Sequence, residues 1–146
     1  MKKKKILIVD DSEMNRELLT DILEDQYDIE CAEDGKKALD ILVRRSFEFS
    51  LVLLDIVMPN VDGFGVLDVM NKNNWISKLP VVLISCEYSL EHIDRAYELG
   101  VSDFISRPFD ASVVRRRVQN TIMLYSGSSG DNGGIQFMTL SLDDEM

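Results

Sequence analysis

The chain has 146 residues, of which 45% are hydrophobic, and this is enough material for one domain with a sizeable core. Its formal net charge is −10, from 26 acidic and 16 basic residues, which argues against a nucleic-acid-binding surface. No apolar run reaches transmembrane length, and the lysines at positions 2–5 are followed too soon by Asp10 and Asp11 for a signal peptide, so we expect a soluble, cytoplasmic protein.

Short apolar runs alternate with amphipathic segments along the first 125 residues. Continuous apolar runs are typical of strands buried on both faces of a parallel sheet, whereas apolar residues spaced three or four apart indicate helices. The predicted strands cover residues 4–9, 27–32, 51–54, 81–85 and 103–106. The predicted helices carry apolar stripes within residues 14–23, 38–42, 64–70, 90–99 and 113–122. The first stripe begins at Met14, which we expect to fill space in the core.

Capping residues support these boundaries. Ser12, Ser89 and Asp110 are placed to cap the N-termini of the first, fourth and fifth helices, and Gly100 is placed just after the end of the fourth. Alternating strands and helices imply a parallel sheet with right-handed crossovers and helices on both faces. The count fits an α/β, doubly wound five-stranded sheet of order 2-1-3-4-5, the flavodoxin-like arrangement, with the weak second strand at an edge.

Acidic residues stand at the carboxyl ends of two strands that this order makes neighbours. The first strand ends in Asp10 and Asp11, and the third ends in Asp55. Their junction is the topological switch point, where open α/β sheets bind ligands. Three carboxylates in one place repel each other without a counterion, and a hard divalent cation with oxygen ligands relieves this. The sequence therefore predicts an Mg²⁺ site that keeps coordination positions open for a phosphate.

Phosphate binding through a glycine-rich loop is not indicated. The pattern G-x-x-x-x-G-K does not occur, and Gly63 and Gly65 lack the remainder of a dinucleotide fingerprint. A metal ion, a hydroxyl group and a cation would have to bind the anion instead. Ser85, at the end of the fourth strand, and Arg107, after the fifth, are placed to supply the last two. Taken singly, each acid is also compatible with a plain capping or turn role.

The combination of these residues resembles the response-regulator receiver domain of two-component signalling, the CheY-like family. The similarity covers about residues 4–125. The residues that carry it are Val9-Asp10-Asp11, Asp55-Ile-Val-Met-Pro59 with Asp62-Gly63, Ser85, Phe104, and Arg107-Pro108-Phe109.

The resemblance implies that Asp55 is the phosphoacceptor, which attacks the phosphohistidine of a partner histidine kinase or phosphotransfer protein, or a small phosphodonor. It implies that Asp10 and Asp11 hold Mg²⁺ with Asp55 and the backbone carbonyl of Val57. No enzymatic activity beyond self-phosphorylation and slow autodephosphorylation is implied.

The resemblance also implies a switch. The hydroxyl of Ser85 moves onto the phosphoryl group, Phe104 turns inward, and the face formed by the fourth helix, fifth strand and fifth helix is remodelled. A downstream effector protein or domain then reads the remodelled face.

Two residues depart from the family pattern. Arg107 stands where the family has lysine, and arginine is a planar fork rather than a compact point charge. We expect a functional but altered phosphoryl site. Val57 lies two residues after Asp55, and its side chain cannot orient an attacking water, so we expect a long-lived phosphoryl group.

Two other function classes are compatible with parts of the pattern. One is a phosphorylation-independent pseudo-receiver, an interaction module in which Arg107 marks a lost switch. The other is an Mg²⁺-dependent phosphatase of the haloacid dehalogenase kind, but such enzymes carry D-x-D at the strand end. Here Val57 occupies the second acidic position, so we set that class aside.

The remaining predictions concern the surface and the C-terminal segment. Residues 1–125 form the predicted receiver domain, and residues 126–146 form a Gly/Ser linker and an acidic tail with a strand-like stretch. Cys31 and Cys86 are expected to be reduced packing residues, and His92 a surface residue on the fourth helix. The arginines at positions 115–117 form a solvated face or pair with Asp94, Glu98 or Asp103 across a homodimer.

Overall fold

The structure is a computed structural model that describes residues 3–56, 58, 62–85 and 90–130, without the side chains of residues 85, 90, 91 and 127–130. Within these ranges, strands and helices alternate as the sequence predicts. The elements are β1 (Lys4–Val9), α1 (Glu13–Leu23), β2 (Tyr27–Ala32), α2 (Gly35–Arg45), β3 (Leu51–Asp55), α3 (Gly63–Lys72), β4 (Val81–Ser85), α4 (Leu90–Glu98), β5 (Asp103–Ser106) and α5 (Ala111–Gly130). Short 3-10 helices at Ser46–Glu48 and Trp75–Ser77 precede β3 and β4.

The strands form one parallel sheet in the order β2-β1-β3-β4-β5. The predicted order and the edge position of β2 are therefore confirmed. Val9 at the end of β1 pairs with Leu54 of β3, and Asp55 pairs with Ile84 of β4. This register brings the carboxyl ends of β1 and β3 side by side, which is where the sequence placed its acidic residues.

Alternate strand residues face two separate cores. One core lies under α2, α3 and α4, and the odd residues of β1 and the even residues of β3 point into it, with Leu7 and Leu54 as examples. The other lies under α1 and α5, where Ile8 and Leu53 pack against Leu19. These strand residues have no solvent exposure. Burial on both faces explains why the strands read as continuous apolar runs rather than as alternating patterns.

Helix caps explain where the helices begin. The Ser12 side chain accepts a hydrogen bond from the Asn15 N–H at the start of α1. Asp110 accepts from the N–H groups of Ser112 and Val113 at the start of α5, as predicted. Gly100 follows α4 with φ of 103°, a left-handed conformation that disfavours residues with a Cβ. The predicted cap Ser89 lies outside the described residues.

Two packing predictions are wrong. Met14 is 75% exposed, because only the later part of the α1 stripe, represented by Leu19 and Leu23, packs against the sheet. Cys31 is exposed as well; it lies on edge strand β2 and belongs to neither core. Its Sγ lies 4.0 Å from the Thr20 hydroxyl of α1. Cys86 is outside the described part of the chain.

Helix α5 continues to Gly130, so residues 126–130 of the predicted linker are helical. A glycine- and serine-rich segment has low helix propensity, but it here extends a long helix that is already formed. The strand-like tail, residues 131–146, lies outside the described residues, and the boundary at residue 125 stays a prediction. Among the helices described, none has both the length and the apolar character needed to span a membrane.

Candidate functional site

Asp10, Asp11 and Asp55 meet at the carboxyl edge of the sheet. One carboxylate oxygen from each lies within 4.8 Å of the others, as the sequence predicted from the strand order. Asp10 has no solvent exposure and Asp55 is 3% exposed, whereas Asp11 is exposed. Two of the three carboxylates are thus buried, and buried like charges are unfavourable unless positive charge lies nearby.

Local backbone contacts fix the position of Asp10. Its N–H donates to the carbonyl of Ala32 on β2, and its Oδ1 accepts from the N–H of Ser12 at 2.9 Å. Arg16, one turn into α1, donates from Nη1 to the Asp10 carbonyl oxygen at 2.8 Å. The sequence reasoning missed Arg16, and no residue pattern reveals it, because its partner is a backbone carbonyl that every residue carries.

Arg107 reaches both buried acids from the loop after β5. Its Nη2 lies 3.0 Å from Asp10 Oδ2 and 3.3 Å from Asp55 Oδ2. The Arg107 side chain is 21% exposed, so these contacts are shielded from solvent on the carboxylate side. The peptide bond to Pro108 is cis. Arg107 therefore lies beside the acids, and its predicted role in binding a phosphate there stays a prediction.

Gly63, the first residue of α3, is in contact with the backbone of β3. A Cβ at this position would lie 2.3 Å from the Asp55 carbonyl oxygen and 2.7 Å from Ile56 Cα. The Gly63 N–H donates to the Ile56 carbonyl at 2.9 Å, and the Asp62 side chain caps the helix through the Gly65 N–H. The Asp62-Gly63 pair of the family motif thus marks a position where only glycine fits the close approach.

Phe64 joins this helix start to α4. Its ring is 6% exposed, and the Arg95 guanidinium lies 4.2 Å from the ring centroid. The His92 ring is 5.8 Å away, tilted by 57°. His92 is exposed, which agrees with the predicted surface position. Cation–π contact of this kind ties α4 to the residue next to Gly63.

The other predicted site residues are described in part. The Ser85 backbone pairs with Ser106 of β5, but its side chain lies outside the described atoms. Val57 is outside the described residues. Phe104 is half-buried and packs against the core beneath α2, α3 and α4. The hydroxyl and carbonyl roles assigned to Ser85 and Val57 stay predictions.

The donor set suits a hard divalent cation. Three carboxylates with oxygens this close together provide the oxygen-only ligands that Mg²⁺ prefers, and the exposed Asp11 leaves room for water ligands. Buried like charges also need positive charge nearby, which part of the Arg107 side chain supplies. The residues therefore fit a magnesium centre open on one side to solvent.

Comparison with known proteins agrees with this geometry. A family model described as the response regulator receiver domain matches residues 6–119. The transcriptional regulatory protein PmrA of Pectobacterium parmentieri is 30% identical over 142 residues, covering 97% of this chain and 62% of that protein. The two-component response regulator ORR5 of Oryza sativa subsp. japonica is 31% identical over 112 residues, covering 76% of this chain and 83% of that protein.

Solved structures show the same architecture. The chemotaxis protein CheY4 of Vibrio cholerae superposes with a TM-score of 0.75 at 25% identity, covering 82% of this chain and 98% of that one. NtrX from Brucella abortus gives a TM-score of 0.76 at 30% identity, covering 87% of this chain and 28% of that one. The chain spans between 25% and 62% of the length of four curated relatives that it matches. The family model, the strand order and the acid cluster agree, and this protein belongs to the response regulator receiver domain family.

Proposed function

We propose that this chain is a phosphorylation-dependent signalling switch that accepts a phosphoryl group on Asp55. The observation that carries the proposal is the position of Asp55 at the end of buried strand β3, beside two further acids and one cation. A carboxylate held in this way is a nucleophile whose direction of attack is fixed by the strand.

The transfer requires little from the protein beyond positioning. A carboxylate oxygen of Asp55 attacks phosphorus, the bond from phosphorus to the donor's imidazole nitrogen or acetate oxygen breaks, and the leaving group keeps the electron pair. The charge on the phosphoryl oxygens is spread out in the transition state. Mg²⁺, held by Asp10, Asp11, Asp55 and the Val57 carbonyl, would neutralise part of that charge.

Arg107 is the proposed cation for the phosphoryl group. Its Nη2 already lies 3.3 Å from an Asp55 oxygen, so a phosphoryl group on Asp55 would be within reach of the guanidinium. Arginine can donate two parallel hydrogen bonds to a phosphate, where lysine offers a point charge. We propose that Ser85 contributes its hydroxyl group to the same phosphoryl oxygens.

The proposed output is a change in the face formed by α4, β5 and α5. Phe104, half-buried on β5, is the side chain we propose to turn inward, and a partner histidine kinase and a downstream effector would act on the two forms. Phe64 gives a second physical connection, since it lies beside Gly63 and under the Arg95 side chain of α4. The conformational effect of a new charge at Asp55 can therefore be transmitted to α4 through the packing of Phe64 as well as through Ser85.

Intact-mass spectrometry after incubation with acetyl phosphate and Mg²⁺ tests the proposal. We expect one added phosphoryl group in the wild type and none in Asp55→Ala. If no adduct forms, and beryllofluoride also fails to bind, the chain is a pseudo-receiver and the proposed switch is wrong.

A further inference from the structure

One arginine nitrogen serves two acids of the cluster. Arg107 Nη2 contacts Oδ2 of Asp10 and Oδ2 of Asp55, whose carboxylates are almost fully buried. The other oxygen of Asp10, Oδ1, accepts from the Ser12 N–H. Both oxygens of this proposed metal ligand are therefore engaged by donors from the protein itself.

The guanidinium is the matching charge for these carboxylates. Arginine is protonated at every physiological pH, so its charge is permanently present at the site. Separating a cation from two buried carboxylates has a large electrostatic cost, because the effective dielectric constant near buried groups is far below that of water. A second cation that seeks the same oxygens must either displace the guanidinium or bind close to it and be repelled.

We propose that Arg107 is a built-in counterion of the acid cluster that competes with Mg²⁺ for the carboxylates of Asp10 and Asp55. Metal binding requires Nη2 to give up its contact with Asp10 Oδ2, and this raises the Mg²⁺ concentration at which the site fills. Arg107 thereby sets the Mg²⁺ affinity of the domain, in addition to its proposed role of binding the phosphoryl group. The inference rests on the proposed function, because it takes the acid cluster to be the metal site.

Isothermal titration of the full chain with MgCl₂ tests the competition. We expect Arg107→Gln to bind Mg²⁺ about fivefold more tightly than the wild type, because a repelling charge and a competing donor are both removed. Arg107→Lys keeps the charge on a compact group that is less able to bridge two acids, so its affinity should lie between those two. Arg117→Gln removes the same charge from an arginine that pairs with Asp103 instead, and it should bind like the wild type.

Thermal unfolding gives a second measurement of the same competition. In EDTA, Arg107→Gln should melt below the wild type, because Asp10 and Asp55 lose their counterion. Saturating Mg²⁺ should raise the melting temperature of Arg107→Gln by more than it raises that of the wild type. If Arg107→Gln does not fold, Arg107→Lys replaces it in both the Mg²⁺ titration and the thermal unfolding experiment.

The outcomes separate the inference from the proposed switch. Mg²⁺ affinity that is equal or weaker in the Arg107 variants, or undetectable in all proteins, overturns the competition. Acetyl phosphate labelling of Asp55 in the wild type is the independent readout of the switch. Tighter Mg²⁺ binding in Arg107→Gln together with no phosphoryl adduct on the wild type would support the counterion and reject the switch.

Discussion

Gly63 and Asp55 are in direct backbone contact, because a Cβ on residue 63 would lie 2.3 Å from the Asp55 carbonyl oxygen. The start of α3 is thereby held against the last residue of β3, and the Gly63 N–H also donates to the next carbonyl, that of Ile56. The proposed phosphoacceptor thus has its main chain supported by a helix N-terminus. Any side chain at position 63 would push these two elements apart.

The variant Gly63→Ala tests this support. We expect it to lower the free energy of unfolding by about 2 kcal/mol, because the new methyl group overlaps backbone atoms that cannot rotate away. Chemical denaturation measures the loss, and phosphorylation by acetyl phosphate should slow as Asp55 shifts. Gly65→Ala, two residues later in α3, is the matched control and should keep or gain stability through its higher helix propensity. Equal stability of the two variants would contradict the close contact.

Replacing Val57 tests the predicted lifetime of the phosphoryl group. An asparagine side chain two residues after Asp55 can hydrogen-bond a water, which the valine side chain cannot do. We expect autodephosphorylation of phosphorylated Val57→Asn to be about tenfold faster than in the wild type. Decay of the mass adduct after removal of phosphodonor measures the rate. Val57→Leu should decay like the wild type, and a similar rate in all three proteins would show that residue 57 does not limit hydrolysis.

Four charged side chains at the opposite end of the sheet form a second electrostatic cluster. Lys5 Nζ lies 2.9 Å from Glu30 Oε1 and 3.3 Å from Glu48 Oε1. Arg45 contacts the same two acids, and it reaches Glu30 through both Nη1 and Nη2. The hydrogen bond from Arg45 is the main reason that the pKa of Glu30 is lowered from its ordinary value of 4.5. The cluster joins β1, β2 and α2 to the 3-10 helix before β3.

The lowered pKa of Glu30 predicts a stability change in acid. Since the folded-state pKa lies below the unfolded value, the stabilisation is complete above about pH 4.5 and is lost as the pH falls through the folded-state pKa. Glu30→Gln should therefore lower the free energy of unfolding by about 1 kcal/mol at neutral pH, and by progressively less below the ordinary pKa of glutamate. Urea denaturation at several pH values measures the difference. Glu24→Gln, an exposed acid outside the cluster, is the control, and a pH-independent difference for Glu30→Gln would contradict the assignment.

The pair Asp103 and Arg117 joins β5 to α5 within one chain, with Nη1 2.9 Å from Oδ1. The sequence left open a pairing of these residues between two protomers. A double-mutant cycle with Asp103→Ala and Arg117→Ala should give a coupling of about 0.5 kcal/mol or less, because both side chains are partly exposed. Thermal unfolding at several protein concentrations measures it. A coupling that grows with protein concentration would favour the intermolecular pairing instead.

The positions of β1, β3 and β4 were predictable from the sequence because burial on both faces gives these strands continuous apolar runs. The bounds of β1, β4 and β5 agree with the predicted ranges, which end at Val9, Ser85 and Ser106. The acid cluster followed from the strand order, since parallel strands end at one edge. The sequence pattern could not predict which acids Arg107 contacts, because these contacts depend on the path of the loop after β5.

The predictions that were wrong or missing have physical explanations. Met14 belongs to the α1 stripe by spacing, but the sheet covers only the later turns of that helix, so periodicity overstates burial. Arg16 acts through the backbone carbonyl of Asp10, and a backbone contact of this kind leaves no mark in the residue types elsewhere. Cys31 lies on edge strand β2, which is less completely buried than central strand β3, so this residue is exposed although its Sγ lies 4.0 Å from the Thr20 hydroxyl of α1.

The two-sided burial of β3 leaves this strand no tolerance for a change in length. Leu51 and Leu53 pack beneath α1 and α5, whereas Val52 and Leu54 pack beneath α2, α3 and α4. One inserted or deleted residue would exchange the two sets and turn residue 55 toward the wrong helix layer. Substitutions can therefore change the chemistry at the carboxyl edge of the sheet one side chain at a time. Insertion or deletion of a single residue within β3 would instead disrupt the core and the acid cluster together.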